Sequence, residues 1–164
     1  MVRNPSSISW HILPVIVIAQ FCCTSLWFAG NAAIVDLSDL YLLPESALSY
    51  IISAVQLGFI LGTLVFALLS IADRYSPSKV FFICAVLGAL SNAVILWDVH
   101  GYYSVLLVRF MTGFFLAGIY PVGMKIAADH FDKKLGTSLG WLVGALVLGT
   151  ALPYFINFLS VDFS

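Results

Sequence analysis

Residues 47–80 read ALSYIISAVQLGFILGTLVFALLSIADRYSPSKV: no charge from Ala47 to Ile71, then Asp73, Arg74 and Lys79 close together. A helix rises 1.5 Å per residue and needs about 20 apolar residues to cross the hydrocarbon of a bilayer, and this run supplies them. The charged hairpin that follows marks where the chain leaves the lipid. Working outward, the same alternation gives five apolar runs, at about 11–35, 47–71, 79–97, 103–127 and 136–159, divided by short polar joints. Composition agrees: 62% of residues are hydrophobic, 9% are charged and the mean hydropathy is +1.05, well outside the range of a soluble domain. Inside a bilayer no water can satisfy the backbone, so each crossing must be a helix or part of a closed barrel. The strand alternation of a barrel is absent. The expected fold class is therefore an all-α membrane protein of about five transmembrane helices, with 1–10 as an N-terminal segment and 11–164 as the membrane domain. The first run continues past Leu26, Trp27 and Phe28, longer than the roughly 7–15 residues of a cleavable signal core, and is expected to stay as a span.

Lysine and arginine mark the cytoplasmic side of a membrane helix, whereas acidic residues contribute little. Here Arg3 precedes the first span, Arg74 and Lys79 lie between the second and third, and Lys125, Lys133 and Lys134 lie around the joint between the fourth and fifth. The opposite joints carry Asp36, Asp39, Glu45, Asp98 and Asp162 with no lysine or arginine. The expected arrangement is a cytoplasmic N-terminus and an external C-terminus in a plasma (inner) membrane. Ser76 and Pro77 fit a helix start, serine as a cap and proline at the first helical position, where its missing N–H costs nothing. Asp73 is not needed for orientation.

The stretch Leu69-Ser70-Ile71-Ala72-Asp73-Arg74-Tyr75-Ser76, with Lys79 after it, resembles the acidic and basic loop between helices two and three of the major facilitator superfamily. Asp73 and Arg74 match the charged centre of that motif, while Leu69 and Ser76 replace its two glycines. The run VLLVRFMTGFFLAG resembles the family's fourth helix, with Arg109 four residues before Gly113. The fifth run, with Gly136, Gly140, Gly144 and Gly149 before Pro153, is similar to its glycine-rich fifth helix, without the adjacent Gly-Pro of the antiporter signature. The resemblance implies a partial N-terminal half of a fold of twelve helices in two halves, built from inverted repeats. It implies transport of a small solute by alternating access, by a fragment or truncated product that is inactive alone and needs the missing C-terminal half or a partner chain. It also implies that Asp73, with Arg74 beside it, gates the cytoplasmic side; the other reading is a solvated loop acid.

An arginine well inside a span costs about 2.5 to 3.5 kcal/mol on insertion scales, so Arg109 requires an explanation. Two readings stand: it faces a cavity and pairs with an anionic solute or a carboxylate, or its long stem snorkels to the headgroups. Gln20, Thr24 and Asn31 share one face of the first helix, and Gln56 is a polar residue in the second. They line a solute pathway, with Trp27 or Phe28 stacking on the solute, or they bond neighbouring helices. Gly58 with Gly62, Gly136 with Gly140 and Gly140 with Gly144 make small-x-x-x-small pairs expected to bring helices together, and Gly113 belongs with them. Pro121 and Pro153 each remove a backbone donor and are expected to bend their helices.

His11, His100, His130, Cys22, Cys23 and Cys84 form no metal spacing, so no metal and no cofactor is expected. Nor does a nucleotide-binding loop appear. An enzyme would need a cluster of reactive groups at membrane depth, and cysteines aside only Arg109 is clearly ionisable there. The expected partners are the lipid bilayer and an unidentified small-molecule substrate, with no nucleic acid. The alternative function is a small non-transporting membrane protein that packs against a partner membrane protein. The threading makes one sharp prediction: in sealed vesicles, thiol reagents reach Ser78→Cys from the cytoplasmic side and Ser38→Cys from the opposite side. Labelling of both from one side removes it.

Overall fold

The computed structural model describes residues 11–40, 45–95, 101–131 and 134–161, with side-chain surroundings for these apart from 29–40, 45, 153, 156–157 and 160–161. Seven α-helices follow in order: α1 (Ile12–Leu40), α2 (Glu45–Leu68), α3 (Ile71–Arg74), α4 (Pro77–Val94), α5 (Tyr102–Leu116), α6 (Tyr120–His130) and α7 (Leu135–Val161). Among the described residues there is no strand. Four helical stretches, 46–68, 77–94, 102–130 and 135–152, are long and apolar enough to cross a membrane, and Ile12–Phe28 within α1 is a fifth apolar stretch. This is an all-α membrane protein.

The hairpin between α2 and α4 contains a helical turn that the sequence did not signal. The second helix stops at Leu68, and Ser70 takes a left-handed conformation with φ 49° and ψ 42°. Its carbonyl then accepts the N–H groups of Asp73 at 3.0 Å and Arg74 at 2.9 Å, winding the single turn of α3. Pro77 opens α4 as expected, but the Ser76 side chain makes no capping bond; it is the Ser76 carbonyl that accepts from Lys79 and Val80, at 3.0 and 3.1 Å.

The fourth span, expected over 103–127, runs over 102–130, and a tightened turn within it divides it into α5 and α6. Pro121 has no N–H to offer the carbonyl of Ala117, and its ring would crowd that carbonyl in a continuous helix. The chain responds by tightening: Gly118 bonds the carbonyl of Phe115 and Ile119 that of Leu116, both at 3.0 Å, in the narrower i to i+3 pattern. The α6 helix then restarts at Tyr120, one residue before the proline. By contrast, α7 runs unbroken through Pro153.

Helices in lipid gain nothing from hiding apolar surface from one another, so close packing must hold them. At the α2–α5 contact the backbones nearly touch. A Cβ on Gly58 would strike the carbonyl of Phe110, one on Gly113 the carbonyl of Val55, and one on Gly62 would lie 2.6 Å from the Phe114 carbonyl. Similar contacts tie the other helices. Gly118 receives the Cys84 sulfur of α4, Gly123 of α6 lies against Gln20 of α1, and Gly149 of α7 lies against Thr24. The glycines of the first half of α7 differ from expectation, because a Cβ on Gly136, Gly140 or Gly144 would meet nothing within 4 Å. Their regular spacing aligns them on a helix face, but none of the described residues lies against them.

Gly113→Ala should therefore destabilise the fold by about 1–3 kcal/mol through forced overpacking, while Gly140→Ala should stay within about 0.5 kcal/mol of the parent. Unfolding in detergent, followed by helical circular dichroism, measures both. Equal effects would remove the distinction between the two glycines.

Candidate functional site

The break between α5 and α6 opens onto a recess of about 270 Å³ where five helices meet. Thr24, Trp27 and Phe28 come from α1, Phe59 from α2, Leu116 from the end of α5, Tyr120 from the start of α6 and Leu146 from α7. The Trp27 indole and Phe59 ring meet edge to face with centroids 5.4 Å apart, and Phe28 lies beside Trp27 at 6.1 Å with the planes 26° apart. The Thr24 hydroxyl donates within its own helix, to the carbonyls of Gln20 at 2.8 Å and Phe21 at 3.2 Å. Its proton is therefore committed.

Arg109 stands behind this wall. Its side chain is completely buried, and Nη2 donates to the backbone carbonyl of Trp27 at 3.2 Å. Of the cavity-facing and snorkelling readings, the structure shows a buried side chain that reaches from α5 to the Trp27 carbonyl of α1, beside the aromatic wall. A charged donor on a backbone carbonyl in a medium of low dielectric is a strong tether.

The remaining sequence candidates are scattered. Gln20 is fully buried between α1 and α6, its Oε1 2.9 Å from the position of a Cβ on Gly123, where Phe81 and Ile16 also approach. Gln20 and Thr24 share a face, as the spacing required, and that face looks toward α6 and α7. Gln56 is exposed on α2, in a different, open groove with Tyr50, Tyr102 and Tyr103. Asn31 falls outside the residues whose side chains are described.

Asp73 forms an ion pair with Lys125 of α6 at 2.6 Å, and Arg74 beside it is exposed. The pair is itself largely open, with Asp73 67% and Lys125 32% exposed, so solvent and salt weaken it. Sequence reasoning placed Lys125 in a solvated joint and missed this partnership. The available signal was that Lys125 is the lone cation in an apolar stretch one turn beyond Pro121. Phe59, Tyr120 and Leu146 carried no signal, since aromatic and aliphatic residues are everywhere in this chain. Among the described residues, no group of three His, Cys, Asp or Glu side chains could hold a metal ion.

Five apolar helical stretches packed through glycines, one of them broken beside an interior recess, define a polytopic α-helical membrane protein with a solute-sized hollow. The family model of the Major Facilitator Superfamily matches residues 16–163, nearly the whole chain. The protein belongs to the Major Facilitator Superfamily, whose members are transporters rather than enzymes. Neither the curated proteins nor the solved structures provide a match.

The bracing role of Arg109 has a measurable consequence. Arg109→Ala should lower stability by about 3 kcal/mol, through a lost charge-assisted bond and a cavity, and Arg109→Lys should recover only part because it lacks the planar fork. Unfolding in detergent checks this, and an Arg109→Ala variant as stable as the parent would contradict the brace.

Proposed function

We propose that this chain contributes to secondary transport of a small solute by alternating access, with the aromatic recess at the α5–α6 break as part of the solute pathway. The observation that carries the reading is the break itself. Discontinuous helices that end near the membrane midplane are a recurring way to build a solute site, and here the last residue of α5 and the first of α6 both line the hollow. Family membership supports the same reading. In it, two halves rock about the site in a plasma (inner) membrane with the N-terminus cytoplasmic. This chain supplies one half, and a C-terminal half or a partner chain supplies the other.

Asp73 and Lys125 belong to the proposal as a cytoplasmic latch. Their ion pair joins α3 to α6, on the far side of the break from Arg109, so the segment it ties down is the one free to move relative to α5. An exposed pair that opens readily suits a gate better than a buried one, which would be expensive to separate. Arg74, exposed beside it, marks orientation.

A second reading, a non-transporting membrane protein that packs against a partner, draws on the open glycines Gly136, Gly140 and Gly144 of α7. One experiment separates the two without knowledge of the solute. Tyr120→Cys, in a background lacking Cys22, Cys23 and Cys84, is exposed to a membrane-impermeant maleimide in right-side-out and inside-out vesicles from expressing cells. Alternating access requires labelling from both faces, and Asp73→Asn should shift the balance between them. Labelling from neither face would rule out transport through the recess.

A further inference from the structure

The recess also carries a chemical preference, and this inference rests on the reading just proposed. Its wall is made of the rings of Trp27, Phe28, Phe59 and Tyr120, the aliphatic side chains of Leu116 and Leu146, and Thr24, whose proton is already donated to the α1 backbone. Among the described residues, no carboxylate, ammonium or guanidinium lines it. A charged solute entering would lose its water and find no counter-charge in the wall, a loss that burial without pairing does not repay. Strongly polar solutes such as sugars fare no better, because each hydroxyl needs a partner and the described wall is apolar.

What the wall does offer is ring faces and edges. Trp27 and Phe59 already stand edge to face at 5.4 Å with planes 68° apart, the arrangement in which a further ring can add an offset or perpendicular contact. Size narrows the class again: 270 Å³ lies just under the range of about 300–1,000 Å³ that holds drug-sized molecules, so one ring or two fused rings fit and a larger polycycle does not. We propose that the recess binds an uncharged, largely apolar solute built on one or two aromatic rings, with a ring against Trp27 and Phe59.

The test uses the full chain in nanodiscs of zwitterionic lipid, with Trp10, Trp97 and Trp141 changed to Phe so that Trp27 alone emits. Para-bromobenzyl alcohol is the probe, its bromine quenching an indole in contact. The expected result is saturable quenching that unbrominated benzyl alcohol displaces and that Leu146→Phe, which fills the recess, weakens at least about tenfold at unchanged helicity. The anion para-bromobenzoate and the cation para-bromobenzylammonium should quench at least about tenfold more weakly at equal concentration. Displacement by benzyl alcohol stands as evidence even if the filled variant fails to fold. Quenching that rises linearly with concentration and is not displaced means partition into lipid alone and overturns the inference, as does tighter binding of either charged analogue. Saturable quenching without two-sided access to Tyr120→Cys would defeat the transport reading and leave the ligand class intact; two-sided access without saturable quenching would do the reverse.

Discussion

The backbone contact between α2 and α5 is the constraint on which the rest of the structure depends. Carbonyl oxygens of Val55 and Phe110 occupy the space where side chains would begin on Gly113 and Gly58, and Phe114 does the same at Gly62. Lipid tails are as apolar as leucine, so nothing but intimate fit selects this pairing over contact with solvent lipid. Because the contact is backbone to backbone, it fixes the height and rotation of α5 with little play. Arg109 lies on that helix, and its reach to the Trp27 carbonyl then fixes α1. The end of α5 at Leu116 is likewise held opposite Phe59, which places the break beside the recess.

Two segments of the fourth span therefore have different mechanical standing. The α5 segment is locked to α2 by glycines and to α1 by a buried arginine. The α6 segment buries Val122, Ile126 and Ala127 in the core with residues of α1, α4 and α7, meets α1 again through Gly123 and Gln20, and is tied to α3 by an exposed ion pair. The two segments are thus held by different contacts, and a rocking motion of the kind proposed would be taken up at the turn between them. Tyr120, the first residue past the break, is the side chain that would report such motion.

Much of this was legible in the sequence, for reasons that differ by residue. Hydrocarbon thickness fixes run length, so the apolar stretches and their polar joints were readable at once, and the spacing of Arg109 and Gly113 and the charged centre at Asp73 and Arg74 pointed to the family. Local chemistry was less reliable: Pro121 signalled a disturbance but not the tightened turn that divides α5 from α6, and Ser76 occupies the capping position without capping. Which glycine meets a neighbour was not legible at all. The pair Gly58–Gly62 and the series Gly136–Gly140–Gly144 have the same spacing, yet only the first faces another described helix, because facing is decided by segments far away in the chain. The polar face of α1 was legible in part: periodicity correctly groups Gln20 with Thr24, and that face meets α6 and α7, with Thr24 also at the edge of the recess. The recess itself is built from residue types so common here that only tertiary packing reveals it.

The α2–α5 approach can be measured directly by a cross-link. A Cβ on Gly62 would lie 2.8 Å from the Cβ of Ala117, within easy reach of a disulfide, whose Cβ atoms normally stand about 3.5–4.5 Å apart. With Cys22, Cys23 and Cys84 changed to Ala, the pair Gly62→Cys and Ala117→Cys is oxidised and the protein is then cut with trypsin, which cleaves after Arg74 and Lys79 between this pair and after Lys133 and Lys134 between positions 117 and 144 of the control. The expected result is two fragments that stay joined until reduced, whereas Gly144→Cys paired with Ala117→Cys gives fragments that separate at once. Separate fragments from the first pair, with both thiols open to alkylation, would contradict the close approach that positions Arg109, the break and the recess.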